Sequence, residues 1–468
     1  MSTLLRRPSD GGQFEARGRF ERFNLEENPF PSDPFVNKDS TDKRVNGEIY
    51  EVEIRRPEYE KIEENFLRHP QADLNHIRLG YLVDTSFVGR GNGKSAFLVN
   101  LQQNINKEYC LDISDGHNKC FALLVTPEAG GRTKTFPSFV DQMFDAILRL
   151  RIIDECLAIL RLEAITKLYP RTDLTEDLKN EKSLRERLRS PEWFWERDFD
   201  LSAISETVAS NEFLQAVPPT FPVLRGRPSL IKPFETEGDF ANYYVQDLKK
   251  GKERYDFLFS HLVRFFQAAG FNGAYVLVDD FERIPDFQSA RQKRDFALEL
   301  RSCLFDGTFT NAKIGFYNMI LVLHAGVQRL IEEAWALSGM ENRAPISPRV
   351  DSSHVIAFEK LSENHASLLL KKYLSEYRIA PVGSDPLSPF TNDAVRLIGE
   401  MSEYNASKIL KTAYELLEKA ASLENQAIID RDFVLANKGG IEITTEIARD
   451  NKETEPEDLM KKARKAED

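Results

Sequence analysis

The 468 residues carry 63 lysines and arginines against 75 aspartates and glutamates, a formal net charge of −12, with 41% hydrophobic and 29% charged residues. That balance is ordinary for a globular chain and excludes a collagen, a coiled-coil rod and a wholly disordered polymer. The negative charge excludes a generic polyanion binder, so any contact with DNA requires a local basic patch or an assembly of subunits.

Residues 1–47 read as an N-terminal arm rich in charge, Pro and Gly, with a turn cluster at Asn28-Pro29-Phe30-Pro31. Its opening lacks the apolar stretch of a signal peptide. No uncharged run reaches the ~20 residues needed to span a bilayer. Cys110, Cys120, Cys156 and Cys303 are scattered, with no CxxC pair, so neither a disulfide framework nor a zinc site is implied. The expectation is a soluble cytoplasmic chain that does not enter the membrane.

A helix is expected across Pro57–Leu67, then a short buried strand at Arg78–Asp84 and a helix at Ser95–Asn106. Cys120–Thr126 reads as a second strand, followed by one long helical stretch from Ser138 to Leu168. Residues 171–235 are mixed, with charge runs and prolines, and helical periodicity returns over Phe240–Ala269. Three further apolar runs, Ala274–Val278, Met319–Leu323 and His354–Phe358, read as strands. The last third is helical at Glu363–Tyr377, Thr391–Met401 and Ala406–Ser422, before a charged tail. Continuous apolar strands alternating with helices indicate a mainly parallel sheet covered on both faces, an α/β scaffold with its sites at the carboxyl ends of the strands.

Two segments carry chemistry. Val88-Gly89-Arg90-Gly91-Asn92-Gly93-Lys94-Ser95 follows the first strand and opens a helix, as a phosphate-binding loop requires. Glycines let successive N–H groups turn toward phosphate oxygens, and the helix N-terminus adds partial positive charge. Lys94 is the candidate for the β- and γ-phosphates of ATP. Ser95 is the candidate Mg²⁺ ligand, and Gly89, Arg90, Gly91, Asn92, Gly93 and Ala96 complete the nucleotide-binding set. Val88 stands where the strict GxxxxGK[ST] pattern has Gly. The second segment, Ala274–Val278 followed by Asp279-Asp280, is an apolar strand ending in adjacent carboxylates. Asp279 is the candidate Mg²⁺ ligand and Asp280 the candidate for orienting or activating water. About 185 residues separate Lys94 from Asp279, on the order of 100 more than two β–α units need. That excess reads as a helical insertion over 140–250.

With both motifs in order, the chain resembles the P-loop ATPases of the AAA+ and STAND group. Asp279-Asp280-Phe281-Glu282-Arg283 is similar to the Asp-Asp-Leu-Asp-Arg signature of KAP and STAND ATPases. The resemblance covers roughly residues 48–135 and 250–438. It implies a parallel-sheet P-loop NTPase core in two parts, 48–139 and 251–360, with the insertion at 140–250 between them. A C-terminal helical lid at 361–440 and a charged tail at 441–468 follow. Glu282 is a second candidate base. His324, at the end of the Met319–Leu323 run, stands at the polar sensor position. Arg343 and Arg349 precede the fifth strand, where an arginine finger reaches a neighbouring subunit, and Arg349 is the first choice. Lys408, in Asn405-Ala406-Ser407-Lys408, lies nearest the second-sensor position, while a plain helix N-cap by Asn405 or Ser407 is the stronger reading of that segment. Asn28-Pro29-Phe30 is similar to a segment of bacterial transposition-regulator ATPases that packs near adenine, and equally reads as a hydrophobic latch. In its Gly-lacking first loop position, long insertion and single compact lid the chain also resembles ATPase subunits of bacterial phage-defence systems.

The implied function is an ATP- and Mg²⁺-dependent hydrolase. It would drive assembly or conformational switching as a homo-oligomer, with a partner protein and with DNA. The alternative is a STAND-type nucleotide-gated signalling scaffold with little hydrolysis. Lys182–Arg189 beside Trp193-Phe194-Trp195 is the best local candidate for nucleic acid, set against burial on the insertion's own helices.

Overall fold

A computed structural model describes residues 18–38, 40–68, 76–85, 90–225, 235–324, 327–346, 352–381 and 385–438. Five strands form one parallel sheet: β1 (Leu79–Asp84), β2 (Cys120–Val125), β3 (Gly273–Val278), β4 (Tyr317–Leu323) and β5 (Val355–Phe358), in the order β2-β3-β4-β1-β5. The α/β parallel-sheet class expected from the apolar runs is the one found. Every residue of β1 to β4 is buried, because helices cover both faces. Registers such as Val276 opposite Met319 and Tyr81 opposite Leu321 place the exits of β1, β3 and β4 along one carboxyl edge.

The longer helices are α1 (Lys94–Lys107), α2 (Phe136–Leu150), α3 (Ile152–Leu168), α4 (Leu201–Ala209), α5 (Ala290–Arg301), α6 (Val327–Ser338), α7 (Glu363–Glu376), α8 (Asn392–Met401) and α9 (Ala406–Ser422). The single stretch expected over 138–168 is two helices. Thr135 caps α2 by accepting from Ser138 N, and the chain then turns at Arg151, whose φ of 58° is left-handed. Arg151 pairs with Asp154 in the first turn of α3 at 2.8 Å, so its side chain holds the corner where the backbone leaves the helix. The periodic stretch near 240–269 is likewise interrupted, at Gly251 with φ 89°. Among the described residues no helix is long and apolar enough to cross a membrane. None of the four cysteines forms a disulfide.

The chain divides into two compact units. One holds 18–60, 84–101 and 357–438, and the other holds 61–83 and 102–356. Each has its own hydrophobic cluster. In the first, Phe30 is fully buried against Tyr373 and Phe390, and Asn28 donates to the Tyr414 carbonyl and to Glu418. The Asn-Pro-Phe segment is thus a latch on α7 and α9. In the second, Phe144, Phe221 and Phe240 of the segment expected as an insertion belong to the same cluster as Phe121, Val276 and Leu321 of the sheet.

Candidate nucleotide-binding site

The candidate phosphate loop belongs to the first unit. β1 delivers Asp84 to its end, and α1 begins with Lys94 after Gly93, whose carbonyl accepts from Phe97 N at 3.0 Å. Gly91 and Gly93 have φ of 97° and 85°, a region that side chains rarely adopt. A Cβ at Gly93 would meet nothing within 4 Å, so the loop is open on that side. Lys94 is 4% exposed and its Nζ is paired with the Asp84 carboxylate, itself 4% exposed. An ammonium buried at a helix start, beside an open glycine bend, fits a polyphosphate. Ser95 and Ala96 lie in the first turn of α1 and are half-buried.

The loop's flank is held by its own unit. Asn92 is 1% exposed and donates to the Glu359 carbonyl at 3.0 Å, while its own carbonyl accepts from Arg55 at 3.1 Å. Arg55 lies over the Phe358 ring, 3.8 Å from its centroid, and pairs with Glu58 at 2.9 Å. Burial pushes the Arg55 guanidinium below its ordinary range, and Glu58 opposes that shift. Asn405 and Ser407 reach Arg90 and Gly91 from the start of α9. Lys408 turns the other way and pairs with Glu403 at 2.7 Å.

The acid turn belongs to the second unit. β3 is followed directly by Asp279, 8% exposed, whose N–H continues the ladder to the Val125 carbonyl at 2.9 Å. Asp280 follows in a left-handed conformation, φ 47°, with its N–H on Asp279 Oδ1 at 3.0 Å. His324, leaving β4, places Nε2 3.2 Å from Asp280 Oδ1 and 3.1 Å from Glu282 Oε1. With its proton on Nε2 the ring donates to both carboxylates. Arg283 pairs with the other oxygen, Asp280 Oδ2, and donates to the Pro127 carbonyl. One ligand atom from each of Asp280, Glu282 and His324 lies within 4.8 Å of the others, a donor set suited to a divalent cation.

The structure therefore groups Lys94 with the loop residues, and groups Asp279, Asp280 and Glu282 with His324. Val88, Gly89 and Arg349 lie outside the described residues, and Arg343 is exposed on Asp306 at 2.6 Å. Two residues of the site were not singled out by sequence. Asp84, the counter-ion of Lys94, was visible only as the acid ending an apolar strand. Arg55 gave no signal. The candidate nucleic-acid stretch is largely neutralised: Arg185 pairs with Glu155, Arg187 with Asp177 and Arg189 with Asp154. Trp193 and Phe194 are buried, while Trp195 is 60% exposed.

No protein-family model matches the chain, and no curated protein matches it. Among solved structures it is similar to one described as Drosophila ORC bound to DNA, at 11% identity and a TM-score of 0.35, over 96% of this chain and 71% of that one.

Proposed function

We propose that the chain is a P-loop ATPase whose nucleotide cycle drives assembly or conformational switching. The observation that carries this reading is the phosphate loop: a fully buried parallel strand, a bend with two left-handed glycines, and a buried lysine opening the next helix. Lys94 would hold the phosphates, with Ser95 and Asp279 as ligands of Mg²⁺, which when bound would neutralise charge on the transferred phosphoryl group. Asp280 or Glu282 would position water, and His324 would keep both carboxylates in place.

The deciding experiment is equilibrium binding of a fluorescent ATP analogue to the full chain and to Lys94→Ala. The expected result is loss of most of the affinity in a folded variant. Unchanged affinity would overturn the reading.

A homo-oligomer with Arg349 acting on a neighbour's nucleotide, with a partner protein and with DNA, belongs to the same reading. It predicts specific activity that rises with protein concentration, and a flat dependence would remove the trans-acting arginine. A role in phage defence rests on resemblance alone. A second reading, a nucleotide-gated scaffold of the STAND type with little hydrolysis, is favoured by one observation: both carboxylate oxygens of Asp280 are already engaged, by His324 and by Arg283. Burst-limited ATP turnover with tight nucleotide retention would select it.

A further inference from the structure

The start of α9 is fastened to the phosphate loop. Asn405 is fully buried, and its amide works in two directions. Oδ1 accepts from Lys408 N at 3.1 Å and caps the helix, while Nδ2 donates to the Arg90 carbonyl at 2.9 Å. The flipped amide would set oxygen against oxygen and NH₂ against N–H, so the network fixes this orientation. Ser407 N–H, a first-turn donor of α9, is used on the Gly91 carbonyl at 2.9 Å. Its hydroxyl donates to the Pro34 carbonyl at 3.1 Å. The approach is tight: a Cβ at Gly91 would stand 2.7 Å from both Cβ and Oγ of Ser407.

These contacts decide which way the loop faces. In a trans peptide the C=O and N–H point in opposite directions. Drawing the carbonyls of Arg90 and Gly91 toward α9 therefore turns the N–H groups of Gly91 and Asn92 away from it. Those are donors that a phosphate loop needs free.

We propose that Asn405 and Ser407 are positioning residues of the phosphate loop. Through them, binding of a nucleoside triphosphate and the packing of the C-terminal helices are energetically coupled. This rests on the phosphate-loop reading. Such coupling is reciprocal: whatever shifts α9 changes nucleotide affinity, and nucleotide stabilises α9 by the same amount.

The test uses the full chain carrying Asn405→Asp or Asn405→Ser. Both residues are good N-caps, so α9 keeps its start. Asp has no donor for the Arg90 carbonyl, and Ser is too short to reach it. Melting temperature, affinity for a fluorescent ATP analogue, and hydrogen exchange of the α9 amides with and without ATP are measured, with Lys94→Ala alongside. The expected result is a folded variant that melts somewhat below the wild type, since a buried hydrogen bond is lost, with affinity for the ATP analogue reduced about tenfold. ATP should slow exchange in α9 of the wild type and not in the variants. A folded variant that binds ATP with wild-type affinity and retains ATP-dependent protection of α9 overturns the inference. If Lys94→Ala loses affinity in that same experiment, the phosphate-loop reading survives. If Lys94→Ala also binds normally, both fall.

Discussion

Around Lys94 the restraints run largely through the main chain. The carbonyls of Arg90, Gly91 and Asn92 accept from Asn405, Ser407 and Arg55, and Asn92 in turn donates to the Glu359 carbonyl. Around Asp280 they run between side chains, with His324 shared by two carboxylates and Arg283 on the remaining Asp280 oxygen. A loop held by its peptides keeps its shape when its own side chains change. A turn held by side chains loses its arrangement when any one of them does. The first suits a site that must present N–H groups, and the second suits one that must hold charge at a chosen point.

The largest effect that would sharpen this contrast is on turnover. Asp280→Asn is expected to slow ATP hydrolysis ~10²–10⁴-fold, as for loss of a positioned base, while leaving ATP binding near wild type. Steady-state hydrolysis and a binding isotherm on the same preparation check it. If Glu282→Gln is the slower variant and Asp280→Asn turns over normally, the base is Glu282.

Next is the buried Lys94–Asp84 pair. Removing one partner of such a pair costs about 3 kcal/mol or more, because a charge stays behind in a poorly solvated place. Lys94→Ala should lower the urea unfolding free energy by that order, and Asp84→Asn in the same chain should recover part of it. Strictly additive losses would show that the two charges do not stabilise one another.

The smallest effect lies away from both regions. Glu237 has its carboxyl pushed up to about 7 by burial and by the nearby Asp154, opposed by Arg151 and Arg189. Between its ordinary value and 7 the folded chain holds this proton more tightly than the unfolded chain. Stability should therefore fall as pH rises through that window, and be fully present below it. Glu237 is only partly buried, so solvent screening reduces the difference to about 1 kcal/mol. Denaturation at pH 5 and pH 8 should show this slope in the wild type and its flattening in Glu237→Gln. An equal slope in both would remove Glu237 as its source.

The sequence by itself determined the five strands, because each is a run of neighbouring apolar residues whose burial needs no distant information. The candidate phosphate loop and the adjacent carboxylates were legible for the same reason: both are contiguous motifs. The helix break at Arg151 was not legible, since apolar periodicity continues through it and only a left-handed φ marks the corner. What tertiary structure decided is which charges meet. His324 lies more than forty residues from the acids it bridges, and Asn405 more than three hundred from Arg90. The residue types at those positions are ordinary, and their roles arise only when the strands align their exits and α9 closes on the loop. Such pairings depend on the packing of distant segments, which local pattern does not encode.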